Sequence, residues 1–114
     1  MARILVVDDE PLISLLVSEW LEELNHTVIG PAASEEAALL LLATERPDAA
    51  ILDVSIRQKD STAVAAALRD RGIPYALATG HTDEKRLKAF AAAITLSKPF
   101  DFGQMKKAVA SILS

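Results

Sequence analysis

The sequence predicts an α/β fold: five β–α units in series, forming a parallel sheet with helices on both faces. Short apolar runs alternate strictly with longer stretches at helical spacing, and βαβα alternation implies parallel strands. The strand candidates are continuously apolar, as in Ile4 to Val7, which is how strands buried on both faces read. Gly, Pro and helix-capping residues fall in the gaps between them. Right-handed crossovers follow for such a sheet.

Ile4 to Val7 is the first strand, followed by Asp8, Asp9, Glu10 and Pro11. Proline suits a first helical turn because its missing N–H has no partner there. Leu12, Ile13, Leu16, Val17, Trp20, Leu21 and Leu24 then form a wide apolar helical face. Thr27 to Ile29 is a second strand, closed by Gly30-Pro31. Ser34 caps the next helix, Glu35 and Glu36 complement its dipole, and the helix ends before Pro47. Ala49 to Leu52 is a third strand ending on Asp53, and a polar loop over Ser55 to Lys59 leads to an Ala-rich helix from about Asp60 to Arg71. Gly72 stops that helix. Tyr75 to Ala78 is a fourth strand ending on Thr79-Gly80, and Thr82-Asp83-Glu84 opens a fourth helix. Ile94 to Leu96 is a fifth strand ending on Ser97-Lys98-Pro99, and Asp101 with Gln104 forms a capping box for a last helix.

Composition narrows the function. At 114 residues one domain is expected, spanning 1–114 with no output domain, and a two-domain cofactor enzyme is excluded by size. A net charge of −4 argues against sequence-independent binding to nucleic acid and against anionic membrane surfaces. The absence of cysteine excludes disulfides and thiolate metal sites. No apolar run is long enough to span a membrane, and no signal peptide is evident, so the cytoplasm is the expected compartment.

In open α/β sheets, ligands bind beyond the carboxyl ends of the strands. The first strand ends there on Asp8 and Asp9, the third on Asp53, the fourth on Thr79 and the fifth on Lys98. Carboxylates gathered in this way need a cation. Oxygen-only ligands suit a hard divalent ion such as Mg²⁺. A carboxylate beside such an ion can act as a nucleophile and become an aspartyl-phosphate. Lys98 offers a positive charge to phosphoryl oxygens and Thr79 a hydroxyl on a short side chain, and phosphoryl transfer needs mostly positioning and charge neutralisation. Taken singly, each residue also fits a turn or a helix cap; the joint pattern carries the functional reading.

Asp8-Asp9, Asp53, Thr79 and Lys98-Pro99 resemble the receiver domain of bacterial two-component response regulators along the whole chain. The resemblance implies a flavodoxin-like (βα)₅ three-layer sandwich, with a five-stranded sheet of order 2-1-3-4-5. It implies Asp53 as phosphoacceptor, Mg²⁺ held by Asp8, Asp9, Asp53 and the backbone carbonyl of Ser55, Lys98 on the phosphate, often before a cis proline, and Thr79 as a switch hydroxyl. The implied donor is a phosphohistidine on a sensor histidine kinase or a histidine phosphotransfer protein. A downstream protein partner is expected at the fourth helix, fifth strand and fifth helix, on a monomer or weak dimer.

Some positions depart from the pattern. The loop after Asp53 lacks the common Pro and Gly, and Thr95 stands where many receivers carry an aromatic switch residue. Leu77 to His81 resembles a Phe-Ala-Thr-Gly variant of stand-alone alphaproteobacterial receivers. His81 reads as a loop residue, His26 as a turn residue and Trp20 as core. Lys85, Arg86 and Lys88 read as a solvated or partner-binding face, and Ala91 to Ala93 as a site of close packing. Two other readings remain open. One is a pseudo-receiver that binds partners without phosphate. The other is a phosphatase of the haloacid dehalogenase type, which would place its nucleophile at the first strand in an Asp-x-Asp pattern absent here.

Overall fold

The computed structural model describes residues 1–57, 59–80, 90 and 94–114. Its elements are β1 (Arg3–Val7), α1 (Pro11–Glu23), β2 (Thr27–Ala32), α2 (Glu35–Glu45), β3 (Ala49–Asp53), β4 (Ser55–Ile56), β5 (Lys59–Asp60), α3 (Thr62–Asp70), β6 (Tyr75–Thr79), β7 (Ile94–Ser97) and α4 (Phe102–Leu113). The helix expected from Thr82, with His81, Lys85, Arg86, Lys88 and Ala91 to Ala93, lies outside the described residues. No helix among the described residues is long and apolar enough to cross a membrane.

Five parallel strands form the main sheet in the order β2-β1-β3-β6-β7, which is 2-1-3-4-5 when these strands alone are numbered. The three layers follow from period-2 alternation along buried strands. Leu5 and Val7 of β1 join Ala50 and Leu52 of β3 in a core under α2 and α3, completed by Ala38, Leu42, Val64 and Leu68. Ile4, Val6, Ala49 and Ile51 point the other way and pack on Val17 and Leu21 of α1 and on Met105, Val109 and Ile112 of α4. Removing such a side chain, as in Leu52→Ala, costs roughly 2–5 kcal/mol. Trp20 is partly buried against this second core, with ring centroids 6.4 Å from Phe100 and 5.9 Å from Phe102.

The caps follow the sequence closely. The Ser34 side chain accepts from the Ala37 amide, and Asp101 and Gln104 form the reciprocal capping box. Gly72, in the left-handed region at φ 67°, follows α3.

Three local features differ from expectation. β2 does not stop at Gly30-Pro31 but runs on to Ala32, with a register irregularity opposite Leu5 and Val7. Gly30 makes this possible: at φ 92° a Cβ would meet the Ala32 nitrogen at 2.7 Å. The polar loop after Asp53 contains a small antiparallel hairpin, β4 with β5. The apolar face of α1 is narrower than its spacing suggests. Val17 and Leu21 are buried with Ser14, and Ile13, Trp20 and Leu24 pack partly against them, while Leu12 and Leu16 are 81% and 41% exposed.

Candidate functional site

The sheet register sets the site. Val7 pairs with Leu52, so Asp8 and Asp53 each stand one residue further along neighbouring strands. Asp53 pairs with Ala78, which puts Thr79 one step beyond, and Thr79 pairs with Ser97, so Lys98 follows directly. Two carboxylates, a hydroxyl and an ammonium thus end side by side at the carboxyl edge. Asp8, Asp53 and Thr79 are all buried there.

Lys98 joins the acids. Its Nζ lies 3.0 Å from Asp53 Oδ2, 3.2 Å from Asp8 Oδ2 and 3.1 Å from Glu10 Oε1. The backbone on either side holds these groups in place. The Asp8 amide donates to the Ala32 carbonyl, Ser14 Oγ donates to the Asp8 carbonyl, and the Glu10 amide donates to Asp8 Oδ1. The Ser55 amide donates to Asp53 Oδ1 at 3.3 Å, and the Ser61 hydroxyl donates to the carbonyls of Asp53 and Val54. The Lys98 amide donates to the Thr79 carbonyl at 2.8 Å, and the Lys98–Pro99 peptide bond is cis.

Among the described residues, one ammonium stands among three carboxylates, which leaves a deficit of positive charge. Burial has the largest influence on Asp8 and raises its carboxyl pKa; the Asp53 charge adds to this, and the Glu10 amide and Lys98 oppose it without cancelling it. For Lys98, burial favours the neutral amine, but the hydrogen bond and charge of Asp53, the charge of Asp8 and the Glu10 contact outweigh it. The ammonium is therefore held well above the usual lysine range.

Asp8, Glu10 and Asp53 each bring a carboxylate oxygen within 4.8 Å of the others. An all-oxygen donor set with this charge excess fits a hard divalent cation. Asp9 stands apart from that group: its Oδ2 accepts the Arg57 amide at 2.7 Å. Ser55 opens the hairpin two residues past Asp53. Glu10 and Ser61 were not singled out from the sequence. Glu10 is a third acid in a row after β1, in the extended segment before α1, where loop geometry decides which acid turns inward. Ser61 reads as loop until its hydroxyl is seen bridging back to Asp53. Beside the acids a cavity of about 350 Å³ opens between α1 and the end of β2, with Asp8, Asp9, Leu15 and Pro31 on its wall.

Residues 4–110 match the family model of the response regulator receiver domain. Among curated proteins, the chain is 38% identical over 92 residues to the positive alginate biosynthesis regulatory protein of Pseudomonas aeruginosa, covering 77% of this chain and 37% of that one. It is 33% identical over 117 residues to the alkaline phosphatase synthesis transcriptional regulatory protein PhoP of Bacillus subtilis, covering 97% of this chain and 48% of the relative. The chain therefore spans less than half the length of either relative. Among solved structures, the Vibrio cholerae chemotaxis protein CheY4 superposes with a TM-score of 0.88 at 28% identity, covering 99% of both chains.

Proposed function

The chain belongs to the response regulator receiver domain family of two-component systems, and on that premise we propose that Asp53 accepts a phosphoryl group from a phosphohistidine and thereby switches protein contacts. The observation that carries this is the buried Asp53 carboxylate, 3.0 Å from the Lys98 ammonium and flanked by Asp8 at the open edge of the sheet. An Asp53 carboxylate oxygen attacks phosphorus as the N–P bond of the donor breaks. The electron pair stays on the donor imidazole, which takes up a proton. Asp8 and Asp53, with Asp9 and the Ser55 carbonyl as the resemblance implies, would hold Mg²⁺. The bound ion would offset the carboxylate charges and those of the incoming phosphoryl oxygens. Lys98 keeps its proton throughout, so its charge can pass from the Asp53 carboxylate to the phosphoryl oxygens as the acyl phosphate forms. Thr79, at the end of the neighbouring strand, supplies a hydroxyl toward the same group. The only chemistry in this reading is the gain and loss of the chain's own phosphate.

The donor is a sensor histidine kinase or a histidine phosphotransfer protein, and it must approach over the carboxyl edge. The exposed Leu15, on the wall of the cavity beside Asp8 and Asp9, supports a contact there, since an exposed apolar side chain next to a site favours an interaction surface. The output face includes β7 and α4, where a cavity of about 340 Å³ is lined by Thr95, Gln104, Lys107 and Ala108. Phosphate on Asp53 biases this face by population shift.

The test is intact mass after exposure to an acyl phosphate, with and without Mg²⁺. Wild type gains one phosphoryl group only with Mg²⁺, and Asp53→Asn gains none. A wild type that gains none leaves the pseudo-receiver as the reading. An Asp53→Asn protein that is still phosphorylated removes Asp53 as the acceptor.

A further inference from the structure

We infer that Arg57, in the turn of the β4–β5 hairpin, is a positioning residue that holds Asp9 out of the acid cluster, so that metal binding and hairpin conformation are linked. The inference rests on the metal-dependent receiver reading above.

Asp8 and Asp9 are neighbours in sequence, yet only Asp8 faces Lys98. The Asp9 carboxylate accepts the backbone N–H of Arg57 at 2.7 Å, across 48 residues of chain. That is the short distance of a charge-assisted bond. Arg57 reaches it from the left-handed region, at φ 52°, which a residue with a side chain enters at a cost. Its own side chain helps to hold it there: Arg57 Nε donates to the Ala33 carbonyl at 3.2 Å, tying the turn to the segment that leads from β2 into α2. Ladder pairing of Ser55 with Asp60 and Ile56 with Lys59, together with buried Ile56, fixes the rest of the hairpin.

With Asp9 held outward, Glu10 supplies the third carboxylate, from a side chain that is 60% exposed. The cluster thus has two candidate third acids on consecutive residues, and one is tethered to the hairpin. A cation that draws the Asp9 carboxylate inward to the cluster pulls it away from the Arg57 amide. The coupling is reciprocal: whatever strengthens the Asp9–Arg57 bond weakens the cation, and the cation loosens the hairpin to the same extent.

The experiment is a Mg²⁺ titration of the full chain by amide NMR and calorimetry, on wild type, Arg57→Ala and Arg57→Gly. The Arg57 amide resonance of wild type is expected to lose its hydrogen-bonded shift along the Mg²⁺ binding curve. Arg57→Ala loses the tether to Ala33 and still pays for positive φ, so it binds Mg²⁺ about fivefold more tightly. Arg57→Gly loses the tether but adopts positive φ freely, so its gain is smaller. Mg²⁺ binding that leaves the wild-type Arg57 amide unmoved overturns this inference alone, as does equal affinity in all three proteins. A wild type that binds no Mg²⁺ overturns both the inference and the reading it rests on.

Discussion

At the amino end of the strands Arg3 faces water with partners of its own, whereas at the carboxyl end, among the described residues, three carboxylates share one ammonium, two of them largely out of water. At the amino end, Arg3 pairs with Glu45 at 3.1 Å with both side chains nearly half exposed, and the Arg3 amide donates to Asp48 at 2.8 Å. His26 Nδ1 accepts the Ala2 amide, and burial lowers the His26 pKa, which keeps the ring neutral and able to accept. At the carboxyl end, the Asp8, Asp53 and Lys98 side chains are 6%, 8% and 14% exposed. The same residue types therefore do different work at the two edges. One edge closes off the strands with weak, independent pairs; the other concentrates negative charge that a cation can rebalance.

The contrast breaks most visibly at Lys98. Among the described residues it is the ammonium that both buried acids share, and removing one partner of a buried pair leaves uncompensated charge. Lys98→Ala should lose about 3 kcal/mol of stability at neutral pH without metal. The measurement is denaturant unfolding, and added Mg²⁺ should restore part of the loss. A variant that unfolds at the wild-type midpoint would mean that the two acids are not held by Lys98 at all.

Much of this edge was legible because a parallel sheet lines up strand ends. Asp8, Asp53, Thr79 and Lys98 end the first, third, fourth and fifth apolar runs, which lie side by side in the sheet, so the topology brings them together whatever the loops do. What was not legible depends on loop geometry. A hairpin made of two-residue strands leaves no period in the sequence. Nothing in Asp8-Asp9-Glu10 shows that the first and third acids turn toward Lys98 while the second turns toward Arg57. The breadth of the α1 stripe was overestimated for a related reason. Apolar spacing marks a face, but Ser14 occupies the buried position beside Asp8, where its hydroxyl meets the Asp8 carbonyl, and Leu12 is left outside.

Asp8→Asn should act with the opposite sign to Lys98→Ala. Folding raises the Asp8 pKa, first through burial, so folding favours the protonated carboxyl. That contribution is fully present below the ordinary aspartate range, near about pH 4, and is lost as pH rises through the folded value. At neutral pH without metal, ionised Asp8 is a burden. Asparagine keeps the shape without the charge, so the unfolding midpoint rises, by less than the Lys98 loss, while Mg²⁺ affinity falls. Unfolding midpoints measured between pH 4 and pH 7 isolate the effect: wild type carries a downward slope with rising pH that Asp8→Asn lacks. A variant less stable than wild type at neutral pH would show that Lys98 already satisfies Asp8 fully.

Glu45→Ala tests the other edge and should do almost nothing. An exposed pair of this kind is worth about 0.5 kcal/mol and is screened by salt. Part of the contact also survives, because Arg3 Nη2 donates to the Glu45 backbone carbonyl at 2.9 Å as well as to its carboxylate. The expected result is an unfolding midpoint close to wild type, with Mg²⁺ affinity and phosphoryl uptake unchanged. A loss as large as that at Lys98 would erase the distinction between the edges, because it would mean that a solvated pair at the amino end holds the fold as strongly as the buried cluster does. An unchanged midpoint with altered Mg²⁺ affinity would instead tie the amino edge to the site through β1, which begins at Arg3 beside Glu45 and leads to Asp8.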